Sequence, residues 1–263
     1  MSSSERTLYS ICKGEGPILA TAVHAGHGLR EEVAALIALD EAARFREEDP
    51  YTDRWAEVAP TRIIPHFSRF EVDLNRARDQ AVYVTPEDAW GLELWKHMPP
   101  PELIERSLAQ YDAFYKAFNG LLVELAERHG CFVVLDLHSY NHRRNGPHAP
   151  AEPPSANPEV NIGTGTMDRQ RWARVVERFM ADLRGFDFLG RRLDVRENIK
   201  FRGRNIPHWV HSRFPDAGCA LAIEFKKFFM DEWTGEVDPP QMAAIQAALQ
   251  ATVPGLIEEL RRI

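Results

Sequence analysis

The residues best suited to chemistry in this chain are two histidines, an acidic loop, one glutamate and an arginine-rich segment. His24 follows the apolar run 17–23 (PILATAV), and His138 follows the run 131–137 (CFVVLDL). Glu224 interrupts a third apolar run, residues 219–225 (CALAIEF). Neutral imidazole is a common zinc ligand, and a catalytic zinc usually has three protein ligands and a water. Two histidines closing neighbouring strands would supply two of the three. The acidic segment 47–53 (EEDPYTD) offers Glu47, Glu48, Asp49 and Asp53 for the third. Such an ion would polarise a carbonyl and lower the pKa of its water to about 7. A carboxylate near that water, but off the metal, would act as general base and then as acid to the leaving amine. Glu224 suits that role, because an ionisable group inside an apolar strand is costly without a partner.

Residues 68–78 (SRFEVDLNRAR) supply cations, with Arg69, Arg76 and Arg78 beside Asn75. Guanidinium grips carboxylates with two parallel hydrogen bonds and stabilises oxyanions. A substrate with a free carboxylate and a scissile amide fits this inventory. Other nucleophiles fit poorly. Ser139 is adjacent to His138, so the two side chains leave a strand on opposite faces, and no G-x-S-x-G elbow is present. Cys131 and Cys219 lie in apolar runs, which raise a thiol pKa.

Strands alternating with helices must hold these groups. The apolar runs 17–23, 61–67, 131–137 and 219–225 read as strands, with a shorter one near 192–195. Helical spacing covers 29–45, 102–129, 168–183 and 240–262, with Pro254 predicted to kink or restart the last. In the second, Tyr111, Phe114, Phe118, Leu122 and Leu125 form one apolar stripe, and Gly130 is a natural stop. Residues 142–158, rich in Pro, Asn and His, read as a long functional loop. The pattern predicts one three-layer α/β/α domain over residues 1–263 with a mixed, mostly parallel sheet. Ligands in such folds sit at the carboxyl ends of strands.

Composition narrows the function classes. The chain has 263 residues, 44% hydrophobic and 27% charged, with a formal net charge of −7. Those values suit a soluble globular protein and argue against nucleic acid as a partner. No stretch approaches the ~20 apolar residues of a membrane helix, and residues 1–10 (MSSSERTLYS) lack a signal-peptide apolar core. Cys12, Cys131 and Cys219 form no CxxC pair and read as reduced thiols of a cytoplasmic protein, the last two in the core. Bland alternatives remain for several of these groups: Glu224 in a salt bridge, Asp49 and Asp53 as a helix cap or solvated loop charges, Arg69 and Arg76 paired with Glu71 and Asp73, and His142, His148, His208 and His211 at the surface or lining a pocket.

Five segments occur in the order seen in N-formylglutamate amidohydrolases: His24-Ala25-Gly26, the EDPYTD loop, Asp73-Leu74-Asn75-Arg76, Asp136-Leu137-His138-Ser139 and Asn161-Ile162-Gly163-Thr164. The chain resembles that family from about Val23 to Glu224. The DLNR and D-x-H-S elements also look like those of aspartoacylase and, more distantly, zinc carboxypeptidases. The resemblance implies a zinc-dependent hydrolase with the zinc-exopeptidase (phosphorylase/hydrolase-like) fold and one Zn2+ per chain. It implies His24, Asp49 and His138 as metal ligands, Glu224 as general base and Arg69 facing the oxyanion. Asn75 and Arg76 would hold the substrate carboxylate, and Asp136 would orient a ligand. The carboxypeptidase H-x-x-E element reads here as His24-Ala25-Gly26-His27, which makes His27 a rival third ligand beside Asp53. Residues 201–211 (FRGRNIPHWVH) are more basic and bulkier than the glycine-rich turn of the family, so acyl or side-chain preference could differ. The expected substrate is a small N-acyl amino acid, N-formyl-L-glutamate first. A peptide or peptidoglycan amidase, or a non-catalytic metal-binding homologue, are the alternatives.

Overall fold

A computed structural model describes residues 7–263. The signal-peptide reading at residues 1–10 therefore falls largely outside the described residues. Seven strands form one mixed sheet: β1 (Tyr9–Cys12), β2 (Ile18–Thr21), β3 (Thr61–Pro65), β4 (Phe132–Tyr140), β5 (Val160–Gly163), β6 (Val195–Glu197) and β7 (Gly218–Lys226). Their spatial order is β1-β3-β2-β4-β7-β5-β6. Strands β3, β2, β4 and β7 run parallel, while β1 pairs antiparallel with β3 and β5 antiparallel with β7. The fold is α/β, as the alternating pattern requires.

Side-chain alternation along the central strands builds two cores. Val133, Leu135, Leu137, Leu221 and Ile223 pack on one face with α5 (Ala173–Gly185) and α7 (Pro239–Leu260). Phe132, Val134 and Ala220 pack on the other with α4 (Pro101–His129) and α6 (Asn205–Arg213). Both long strands are apolar on both faces, as buried parallel strands are. The aromatic stripe of α4 is buried as expected, with Phe114, Phe118 and Leu122 fully enclosed.

Several expectations need correction. The helix expected over 29–45 is two helices, α1 (Glu31–Leu36) and α2 (Glu41–Glu47). Ile37 leaves helical geometry to bridge Trp95, and the Asp40 side chain accepts from the Ala43 N–H to start the second helix. The acidic segment is only partly loop, since Glu47 ends α2 and Thr52–Trp55 forms a single turn, α3. The strand expected to end at Leu137 continues through His138, Ser139 and Tyr140, all buried. The strand expected at 192–195 begins only at Val195, and the helix expected from 168 begins at Ala173. Pro254 does not restart α7, which runs unbroken from Pro239 to Leu260 with Pro254 at an exposed position. Cys131 is half-buried rather than a core residue, because β4 starts one residue later. His211 is buried, its Nε2 accepting the Ala220 N–H at 3.0 Å and so tying α6 to β7. Burial pushes this imidazole down to about 4 and keeps it a neutral acceptor.

Candidate active site

Parallel pairing sets one wall of the site. His138 on β4 stands directly opposite Glu224 on β7 in the strand register. Aligned residues on parallel neighbours project from the same face. The row Val134/Ala220, Asp136/Ala222, His138/Glu224 thus runs from apolar core to polar site along one face. The Glu224 carboxylate accepts no hydrogen bond and makes no ion pair among the described residues, so the salt-bridge alternative is not realised. Burial raises its pKa to about 7; His138 and Arg69 act against that rise, while Asp49 and Asp136 add to it.

Loops build the other wall. His24 sits in the turn after β2, and its carbonyl accepts the Asp49 N–H at 3.0 Å. That turn lies against residues 66–67 so closely that a Cβ on Gly26 would fall 2.4 Å from the Phe67 carbonyl oxygen. Only glycine permits this approach. Asp49 follows α2, and its Oδ2 lies 3.2 Å from His24 Nδ1 and 3.1 Å from His138 Nδ1. The Ser139 hydroxyl donates to Asp49 Oδ1 at 3.3 Å. The two imidazole centroids are 4.9 Å apart.

This geometry fits a metal. His24 Nε2–H donates to Asp73 Oδ1 at 2.7 Å, so that with a cation bound Nδ1 would present its lone pair beside the Asp49 carboxylate. His138 Nε2 lies 3.0 Å from Asp136 Oδ1, and both oxygens of fully buried Asp136 otherwise lack donors. With a cation bound, an Nε2–H facing Asp136 would turn a second lone pair toward Asp49. Two imidazole nitrogens and an anionic oxygen that face one another in a buried space suit a cation between them. The candidate ligand atoms of His24, Asp49 and His138 all lie within 4.8 Å of one another. Carboxylates on the outer nitrogens are the usual support of metal-bound histidine. Burial opposes charge on His138, yet Asp136, Glu224 and Asp49 outweigh it and raise the imidazole pKa well above its ordinary value. Burial likewise opposes ionisation of Asp49, but hydrogen bonds from His138 and His24 hold it far below the carboxylate range.

The rival third ligands are elsewhere. Asp53 is exposed on α3. His27 is committed to Glu48, with Nδ1 2.5 Å from Glu48 Oε2, and to Arg44, whose Nη2 lies 3.1 Å from Nε2.

Arg69, Asn75, His24, Asp49, His138 and Glu224 line one cavity of about 100 Å³. Arg69 donates to Asp73 Oδ2 at 3.0 Å and to the Tyr83 hydroxyl at 3.2 Å, and Trp90 covers its guanidinium at 4.7 Å. The ion pair with Asp73 that sequence allowed is therefore present and still leaves Arg69 in the cavity wall. Asn75 Nδ2 is 3.3 Å from His138 Nε2, and Asn75 Oδ1 accepts the Ile206 N–H at 3.1 Å. Arg76 is not brought into this cavity. It stacks on Tyr83 at 4.3 Å and lines an adjoining hollow of about 320 Å³.

Sequence reasoning gave four residues no place in the site, although it read the Arg202–Arg204 patch as able to bind small anions. Asp73, read from sequence as a motif residue and a pairing partner for arginine, is the buried partner of His24, Arg69 and Tyr83. Lys227 is 1% exposed and donates to the Arg46 carbonyl at 2.6 Å and the Glu48 carbonyl at 2.7 Å, clamping the segment that carries Asp49 to the end of β7. Burial lowers its pKa to about 8, with Asp49, Glu47 and Glu232 pulling the other way. Asn161 accepts from the Ile199 and Lys200 N–H groups and donates to the Phe201 carbonyl, shaping the approach to α6. Arg204 sits at the N-cap position of α6, without a side-chain cap bond, and lines the cavity. A lysine directly after an apolar strand was the available signal for Lys227; the others had none beyond their motifs.

The sequence pattern of the N-formylglutamate amidohydrolase family matches residues 16–230. The chain belongs to that family. Its structure is similar to N-formylglutamate amidohydrolase from Ralstonia eutropha JMP134, with TM-score 0.76 and 17% identity over 97% of this chain and 98% of that one. It is also similar to gene product Atu2144 from Agrobacterium tumefaciens, with TM-score 0.68 and 17% identity over 97% of each chain. A metallo-carboxypeptidase from Burkholderia cenocepacia aligns at TM-score 0.35 and 14% identity, covering 92% of this chain and 56% of that one, too distant to carry an argument. A search of curated proteins finds no match. No helix among the described residues is long and apolar enough to cross a membrane.

Proposed function

We propose that this family member is a zinc-dependent amidohydrolase that releases the acyl group of a small N-acyl amino acid, N-formyl-L-glutamate first. The observation that carries the reading is the convergence of His24 Nδ1 and His138 Nδ1 on Asp49 Oδ2, with Glu224 in register beside them. Family membership supports the substrate class, and a cavity of about 100 Å³ favours a small acyl amino acid over a polymer.

His24, Asp49 and His138 would hold the ion, which when bound supplies Lewis-acid polarisation of the amide carbonyl and acidifies water. Glu224 takes a proton from the attacking water. Its raised pKa, about 7, places it where it can both accept a proton and return it to the leaving amine nitrogen. Arg69, held by Asp73 and Tyr83, presents a fixed cation to the developing oxyanion. Asn75, anchored through Ile206, offers its amide to the substrate's polar end. Arg76 would reach a substrate only through the adjoining hollow.

Metal content and formate release test this reading in the wild type and in His138→Ala. About one zinc per chain with formate release in the wild type, and neither in the variant, is expected. A wild type that binds no zinc when supplied with it, and releases no formate from N-formyl-L-glutamate, would overturn it.

A further inference from the structure

The cations around the cavity differ in what they already hold. Arg69 is engaged by Asp73 and Tyr83. Lys227 donates to two backbone carbonyls. Arg144 lies 3.5 Å from the Glu47 carboxylate. Arg204 also lines the cavity, is exposed, and makes no side-chain hydrogen bond or ion pair among the described residues.

Its backbone, in contrast, is firmly placed. Gly203 adopts a left-handed φ of +91°, which turns the chain into α6. A Cβ on Gly163 would meet the Gly203 nitrogen at 2.5 Å, so this turn packs directly against β5. The next residue, Asn205, donates its side-chain amide to the Tyr111 hydroxyl at 2.9 Å and the Tyr115 hydroxyl at 2.6 Å. The Ile206 N–H then binds Asn75 Oδ1. A fixed backbone thus carries an uncommitted guanidinium. Arg204 and Asn75 are the two residues shared by the cavity and the hollow beyond it. Arg204 therefore stands where the far end of a substrate would emerge from the reacting groups.

We infer that Arg204 is the specificity residue of this site and binds a second carboxylate, on the side chain of an acidic N-acyl amino acid. The inference rests on the proposed amidohydrolase activity and assigns the residue that reads the second carboxylate. A guanidinium without an internal partner gives a carboxylate a two-pronged, charge-assisted contact at no cost of breaking an existing pair. A neutral isostere gains nothing from the charge.

The test compares zinc-loaded wild type, Arg204→Ala and Arg204→Lys on N-formyl-L-glutamate and its neutral isostere N-formyl-L-glutamine. The expected wild type prefers the glutamate derivative. Arg204→Ala should lower kcat/KM for that substrate by about tenfold or more, chiefly through KM, while kcat/KM for the glutamine derivative stays within about threefold. Arg204→Lys should recover part of the loss. If the wild type prefers glutamate and Arg204→Ala keeps that preference, the assignment of Arg204 is wrong while the activity stands. If the wild type turns over neither substrate, the activity and this assignment fall together.

Discussion

The two walls of the site are built by different means. His138 and Glu224 stand on β4 and β7, long neighbouring strands whose ladder sets their spacing residue by residue. His24, Asp49, Asp73 and Arg69 stand on turns and short helices, where no ladder exists. Their positions come from buried polar contacts: His24 to Asp73, Arg69 to Asp73 and Tyr83, Lys227 to the carbonyls of Arg46 and Glu48. The strand wall is set by backbone hydrogen bonds that survive most side-chain changes. The loop wall is set by the side chains themselves. Substitutions on the first should therefore change chemistry with little structural cost, and substitutions on the second should loosen the metal and the fold.

Glu224→Gln tests the strand wall and has the largest expected effect. Metal content should be retained while kcat falls by about 10²- to 10⁴-fold, measured by formate release. Wild-type activity should also decline as pH drops, since Glu224 must be ionised to accept a proton. Its pKa without metal is raised to about 7, and a bound cation would move this acid limb lower. A Glu224→Gln enzyme of full activity would remove the base from the mechanism.

Asp73→Asn tests the loop wall. Here the expected loss is in zinc affinity, about 10- to 100-fold, because His24 loses the anion that fixes its ring. Competition with a chelator would measure it, and excess zinc should restore part of the activity. Unchanged affinity would mean that Asp73 serves only to hold Arg69.

Lys227→Met should have the smallest effect on turnover. It leaves the Glu48 carbonyl unpaired and the Arg46 carbonyl with only the Asn141 amide, for a loss of about 1–3 kcal/mol of stability. Denaturant unfolding of the metal-free protein would show it, and zinc should mask part of it by holding Asp49 from the other side. Destabilisation that zinc does not offset would separate the clamp from the metal site.

The contrast between the walls also explains which groups were legible in the sequence. Apolar runs marked β4 and β7, and with them His138 and Glu224, because a polar residue stands out against a buried strand. The end of β4 was misread by three residues for the same reason: His138, Ser139 and Tyr140 look like surface, yet they are buried against the site. The edge strand β1, the four-residue β5 and the proline-containing α6 left no comparable signal, being short or weakly patterned. Without α6, the place of Arg204 had no basis, although the basic character of residues 201–211 was plain.

The sequence by itself determined the fold class, the family motifs and the set of candidate groups, because periodicity and residue type are local properties. Tertiary structure decided the choices among them. The family likeness had put Asp49 ahead of Asp53 and His27, and the turns after β2 and α2, 25 residues apart in the chain, bring Asp49 rather than either of them between His24 and His138. Arg204 rather than Arg76 was turned into the cavity by the packing of α6 on Tyr111, Tyr115 and Asn75. Such choices depend on contacts between distant segments, and those contacts form only when both cores have closed around the sheet.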